Sequence, residues 1–313
     1  MSDHERTAAL MVPSKLAEMV PVKKATPWFD QPAAHVGEVQ IDHLAATLDA
    51  LRVSHRSDST GALEDALRNW QKQHDELRFD GLQIRGWWGR ATGKSKSAGA
   101  EFAEQVARLV ALQTHVDAQG SQFQDEIASR AAADEHVLID AELDLRALDD
   151  LVEKGAKWLQ DMQAELKKRH AAALDDAGRQ GVRRDAARCE ALVPRLKALR
   201  ALGASTRKVI LLLREAHALR QSQVQLLSRD LHAAARAWRG RLVSLAAAVE
   251  DGTNGPELSL EGPQEMHSQL GKQLQKANDG LSQLRAVEAQ WESALPLMAD
   301  SLAVLREPGR AAA

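Results

Sequence analysis

Apolar residues recur at alternating steps of three and four along most of the chain, the repeat of helices that supercoil around a partner helix. The most regular run extends from Cys189 to Trp238, and a second extends from Leu270 to Leu305. An earlier run, 102–166, changes phase near Ala141, where two steps of four follow each other. The pattern predicts an all-α fold: an elongated bundle of long antiparallel helices with coiled-coil heptads.

Prolines and glycines divide this pattern into six segments. They are a poorly ordered tail (1–37), a small helical N-terminal portion (38–84), a Gly/Trp/basic linker (85–99), a long-helix coiled-coil core (100–250), a loop (251–263) and a C-terminal helix (264–306). No proline lies between Pro32 and Pro194. Because proline removes a helix donor and clashes with the preceding turn, this gap favours long helices. The tract 175–181 predicts the turn between two of them.

Charge predicts which helices are neighbours. Residues 130–178 hold 12 acids and 7 bases, a net −5, whereas residues 179–241 hold 15 bases and 4 acids, a net +11. Two long helices of opposite charge joined by a short turn are expected to pack antiparallel. Exposed ion pairs contribute only about 0–1 kcal/mol each, so charge would set register rather than stability.

Two polar residues, His217 and Arg220, occupy consecutive positions of the most regular seam. Polar seam residues usually fix the register of a coiled coil. We expect both to pair with acids of the 134–153 stretch, and the expected partners are Asp140, Asp144 and Asp149.

A glycine-rich stretch, RGWWGRATGKSKSAG (85–99), ends like a phosphate-binding loop. The full motif, G-x-x-x-x-G-K-[ST], needs a glycine at position 88, between a strand and a helix. Trp88 stands there, and the preceding residues do not read as a strand. The stretch therefore favours a linker, and an enzyme that binds a nucleotide through GKS is the weaker alternative.

Composition restricts the class of protein further. Net charge is −3, pI is about 6.4 and Cys189 is the single cysteine, so an internal disulfide is excluded. The sequence has no apolar run of membrane-spanning length, no signal peptide pattern and no HExxH or ExxH motif. It predicts a cytoplasmic protein without membrane insertion, metal or cofactor.

The end of one long helix and three short motifs resemble the tellurite-resistance, or toxic-anion-resistance, family called TelA. A long helix ends in LVEKGAKWLQDMQAEL (151–166). Ser205-Thr206-Arg207 lies where the family has an arginine motif, and Trp238-Arg239-Gly240-Arg241 lies where it has a tryptophan–basic tract. Asp251-Gly252-Thr253-Asn254 follows in the place of the family's D-T-T-N motif.

The resemblance implies a remote relative of this family and a role in toxic-anion resistance or a related plasmid or envelope stress response. Because no redox-active group is evident, we expect a non-enzymatic scaffold or adaptor with protein partners, or a homo-oligomer formed through exposed heptad seams. The alternative is a coiled coil that binds nucleic acid or a partner helix through the basic 179–241 helix; sparse aromatics disfavour nucleic acid. The candidate interaction residues are Arg207, Lys208, Arg214, His217, Arg220, Trp238, Arg239 and Arg241.

Overall fold

The computed structural model describes residues 33–54, 59–82, 94–173, 175–250 and 259–306. These residues form helices α1 (Glu38–Ser54), α2 (Ser59–Glu76), α3 (Lys94–Ala172), α4 (Asp176–Gln225), α5 (His232–Glu250) and α6 (Glu261–Arg306). A π-helical turn, Leu226–Leu231, joins α4 to α5, and short 3-10 turns lie at Ala33–His35 and Asp80–Leu82. The described ranges contain no strand. The prediction of an all-α bundle is confirmed.

Helix α3 has 79 residues and continues without interruption through the phase change near Ala141. The turn predicted at 175–181 is shorter than expected, because α4 already begins at Asp176. Asp175 explains the early start: its Oδ1 accepts a hydrogen bond of 2.8 Å from the backbone N–H of Gly178. A carboxylate that accepts from the first turn in this way is a typical N-cap and stabilises the helix start.

The chain divides into two compact units. The larger unit comprises Gln40–Ala147 and Ala201–Ala303. The smaller unit comprises Leu148–Arg200 together with the described residues within 1–39 and 304–313. The candidate interaction residues all belong to the larger unit.

In the larger unit, α3 packs antiparallel to α4 and α5. Near the start of α3, the Cα of Gly99 lies so close to Val249 that an added Cβ would be 2.7 Å from its Cγ1. Further along α3, Glu142 forms an ion pair with Arg214 of α4, which precedes Val249 in the chain. The acidic and basic helices are therefore antiparallel neighbours, as their charges predict.

Helix α6 lies antiparallel to both α2 and the α4–α5 segment. Its face towards the core is apolar except at Glu288, and the apolar seam positions from Leu270 to Met298 are buried. Against α2, Asn278 bonds to Gln71 and Arg285 forms an ion pair of 2.9 Å with Glu64. The contacts of α6 with α4 and α5 contain further polar side chains, among them Arg220, Glu288 and Gln223.

The seam of α4 departs from the predicted heptad before the π-helical turn. Gln223 and Leu226 are buried, whereas Val224 and Leu227, which the strict repeat placed in the seam, are only half-buried. The next buried residue after Leu226 is Leu231, five positions on. An α-helix has 3.6 residues per turn, so a step of five on one face needs the wider π turn. That turn returns the seam to the predicted phase at Trp238.

Two glycines of α3 should respond in opposite ways to the same substitution. A Cβ at Gly120 would meet no atom within 4 Å, whereas a Cβ at Gly99 would lie 3.1 Å from the backbone oxygen of Val249. We expect Gly120→Ala to raise the free energy of unfolding by about 0.5–1 kcal/mol through helix propensity alone. Gly99→Ala should lower it, because the backbone of α5 cannot retreat easily. Urea denaturation of both variants would contradict the packing described here if their effects had the same sign.

In the smaller unit, Arg195 of α4 links two chain segments. Its Nε donates to the backbone oxygen of Val36 at 3.0 Å, and its Nη1 donates to that of Leu305 at 2.6 Å. Burial lowers the pKa of Arg195 from its usual value, and the carboxylate of Glu38 opposes that shift. The guanidinium thus satisfies a carbonyl in the last turn of α6, where helix carbonyls lack partners.

Candidate functional site

The outer face of α4 carries three of the predicted interaction residues. Arg207 and Lys208 are exposed, and Arg214 keeps a side-chain exposure of 59% although it pairs with Glu142. Leu211 lies among them and is 60% exposed. Steps of four and three place Arg207, Leu211 and Arg214 on one stripe, opposite the buried positions of the same helix. We call Arg207, Lys208, Leu211 and Arg214 the basic face.

Two charged residues that interrupt separate seams meet inside the larger unit. Arg220 of α4 donates from Nε at 3.1 Å and from Nη2 at 2.7 Å to Oε1 of Glu288 in α6. Their side chains are only 19% and 16% exposed. The expectation that Arg220 pairs with an acid of the 134–153 stretch is therefore wrong, because the interruption in the α6 seam lies closer.

The other seam residue, His217, is half-buried and contacts its own helix. Its Nε2 lies 2.8 Å from Nε2 of Gln221, one turn further on. The expected partner Asp144 instead lies 3.1 Å from Nδ1 of His43 in α1. His217 thus has a neighbour at i+4 in place of the acidic partner that was predicted.

Trp238 is a core residue, with an exposure of 0%. Its Nε1 donates a long hydrogen bond of 3.4 Å to Nδ1 of His267, near the start of α6. The ring of His267 stacks on that of His74 with centroids 3.7 Å apart and an interplanar angle of 15°. Nε2 of His74 also donates to the backbone oxygen of His267 at 2.9 Å. The tryptophan of the resembled motif therefore joins α5 to α6 and α2, and cannot stack on an external ligand.

The stacked histidines lie in a confined apolar setting. Phe79 meets the edge of His267 with centroids 5.3 Å apart, and a Cβ on Gly271 would lie 2.9 Å from Cε1 of His74. Burial, and then the neighbouring His74, lower the pKa of His267 to about 4, while Asp75 has a smaller opposing effect. The cluster therefore holds the His267 ring neutral at pH 7, as its acceptor role towards Trp238 requires.

A buried glutamine lies between α4 and α6, at a position that the heptad repeat places outside the seam. Gln223 is 4% exposed, and its Oε1 is buried without a hydrogen-bond partner among the described residues. A Cβ on Gly280 of α6 would lie 1.5 Å from Nε2 of Gln223, so only glycine leaves room for this side chain. An unsatisfied buried polar atom costs about 1–3 kcal/mol. In the sequence, Gly280 could have indicated this contact. Glycine is unfavourable in a helix interior, so its presence there suggests that a neighbouring side chain occupies the space of the missing Cβ.

The remaining candidates are placed as follows. Arg239 and Arg241 are exposed on α5. Cys189 is buried, and burial raises the pKa of its thiol, with Asp185 and Glu190 adding to that shift. Within the described ranges, no group of three or more His, Cys, Asp or Glu side chains could hold a metal ion. No helix described here is long and apolar enough to cross a membrane.

Other parts of the sequence analysis fall on residues that are not described. They are the tail 1–32, most of the glycine-rich stretch at 83–93, and the motif Asp251–Asn254 within 251–258. Where the description resumes after the glycine-rich stretch, Lys94 is the first residue of α3.

Fold and site together define an all-α bundle with a basic outer face and a core that contains polar layers. Comparison of the chain with protein-family models, with curated proteins and with solved structures finds no match. The family resemblance therefore rests on the short motifs alone. The helix end 151–166 lies within α3, and two of the three short motifs are also described: Thr206 is buried beside the exposed Arg207, and Trp238 is buried beside the exposed Arg239.

Proposed function

We propose that the protein is a non-enzymatic helical scaffold of the cytoplasm that binds a protein partner through the basic face of α4. Its cellular role would be toxic-anion (tellurite) resistance or a related stress response, as the motif resemblance implies. The observation that supports this most is the composition of the basic face: three cationic side chains surround Leu211, which is 60% exposed.

This composition suits a protein partner with an acidic surface. Arginine is enriched at protein interfaces, and a central apolar side chain provides contact area that can be fully desolvated. Opposite charge on the partner would mainly raise the association rate and the specificity. Self-association through heptad seams stays a prediction that sedimentation can test; the seam residues of α6 are buried within this chain.

Nucleic acid is the weaker alternative for the same face. Proteins that bind single strands combine basic grooves with aromatic side chains on which bases stack. Trp238, the one aromatic residue of the basic 179–241 segment, is buried against His267. Binding to phosphates alone would be steeply salt-dependent, so a salt titration with duplex DNA distinguishes the two partners.

The test is a double variant, Lys208→Glu with Leu211→Glu, which reverses a charge and removes the apolar centre of the basic face. Both side chains are exposed, so we expect an unchanged melting temperature. In cells whose tellurite resistance depends on this gene, resistance should be lost. The control is Lys272→Glu with Leu297→Glu, the same exchange at exposed positions of α6. Equal resistance in both variants would rule out the basic face as the functional surface.

A further inference from the structure

A cavity of about 450 Å³ opens beside the π-helical turn, between the end of α4 and the middle of α6. Gln223 and Gly280 both line it. Cavities of this volume lie within the range of small-molecule sites. Single π turns within α-helices occur frequently at functional sites, because they displace side chains from the regular repeat.

Gln223 contributes to this cavity a polar side chain whose hydrogen-bond acceptor is unsatisfied. Gln223 is more than nine-tenths buried, and its Oε1 has no partner among the described residues. Most of the surrounding seam residues are apolar, so a leucine would pack there without leaving a buried polar atom unpaired. The missing Cβ of Gly280 is what admits the amide. This oxygen is sealed from solvent, so a ligand in the cavity would reach it only after the side chain turns towards the cavity.

Four charged side chains line the same cavity, two of each sign: Arg229, Asp230, Lys276 and Asp279. None of the four side chains makes an ion pair or hydrogen bond to another described residue. Lys276 and Asp279 are three positions apart on α6, a spacing at which such pairs often form. All four side chains are exposed, and no described residue already neutralises their charges.

We propose that this cavity binds a small zwitterion of the size of a free amino acid. Arg229 and Lys276 would receive its carboxylate, Asp230 and Asp279 its ammonium group, and the amide of Gln223 would bond to a polar atom between them. A simple anion would face two carboxylates, and a simple cation two bases, so each would gain less than a molecule that carries both charges. Such a site goes beyond the proposed scaffold function, because it would make the scaffold responsive to a metabolite.

The experiment is isothermal calorimetry of the full-length chain with each of the twenty free L-amino acids. We expect at least one to bind, and we expect its N-acetyl and its carboxamide derivatives, which each lack one charge, to bind at least tenfold more weakly. Tellurite and sulfate are titrated alongside. The proposal would be overturned if either anion bound at least as tightly as the best amino acid. It would also be overturned if no amino acid bound at a concentration of ~10 mM.

Two variants locate the site. Gln223→Leu removes the amide and leaves an apolar side chain of similar volume, so affinity should fall at least tenfold while the melting temperature holds or rises. Lys276→Gln, at an exposed position, should weaken the same ligand by a similar factor. Gly120→Ala, which lines a different cavity on the α3 side of the π turn, is the control and should leave affinity unchanged. Unchanged affinity in both test variants would refute this site.

Discussion

Glu288→Ala is expected to lower the free energy of unfolding by about 2–3 kcal/mol, the largest effect we predict for one charged residue. The substitution leaves the guanidinium of Arg220 in a site where its side chain is 19% exposed and where Glu288 supplies both hydrogen bonds. Breaking a fully buried ion pair by removing one partner costs about 3–5 kcal/mol, and partial exposure here reduces that figure. Guanidinium chloride would screen the pair, so urea denaturation is the appropriate measurement.

Replacing both charges together separates the pair from its surroundings. Arg220→Leu with Glu288→Leu should restore most of the lost stability, because paired apolar side chains need no hydrogen bonds. The control is Asp150→Ala, which breaks the exposed pair with Lys154, whose side chains are 73% and 68% exposed. That variant should cost no more than about 0.5 kcal/mol. A Glu288→Ala effect as small as this control would contradict the buried pairing.

Acid is expected to destabilise the larger unit through His267. Its pKa is about 4 in the folded chain and near 6.5 in the unfolded chain. The neutral ring therefore stabilises the fold fully above pH 6.5, and this contribution declines as the pH falls through 6.5 towards 4, where the unfolded state binds a proton first. The shift corresponds to about 2 kcal/mol once solvent screening of this half-buried ring is allowed for.

The variant that tests this is His267→Asn, whose side-chain oxygen can still accept from Nε1 of Trp238. We expect it to flatten the dependence of unfolding free energy on pH between 6.5 and 4. His115→Asn removes an exposed histidine of α3 and should leave that dependence unchanged. If both variants keep the wild-type slope, protonation of His267 does not limit acid stability.

The regular seams could be predicted because heptad spacing alone determines which side of a long helix is buried. The apolar positions of α6 from Leu270 to Leu305 are buried as expected, and Glu288 was already evident as a charged interruption. The partner of Glu288 could not be deduced from the sequence. Spacing along one helix does not show which helix packs against it, or which residues of the two helices lie side by side. The opposite net charges favoured α3, whereas the close packing of α6 on α4 decides the contact.

The polar clusters were not predictable for a related reason. His74 and His267 are 193 positions apart in the chain, and each fits an amphipathic helix by itself. Only the antiparallel packing of α2, α5 and α6 brings them together with Trp238. Gln223 was assigned outside the seam because the heptad was extended through 226–231 without a π turn, and no local residue pattern marks such a turn.

The π-helical turn also bears on how this chain should be compared with relatives. The α4–α5 segment contains about one residue more than an uninterrupted α-helix would need between the layers of Ala216 and Trp238. A relative that lacks this surplus would keep the same inward-facing residues on both sides. The gap in such an alignment belongs within 226–231, and placing it elsewhere would mismatch Trp238 and every core position after it.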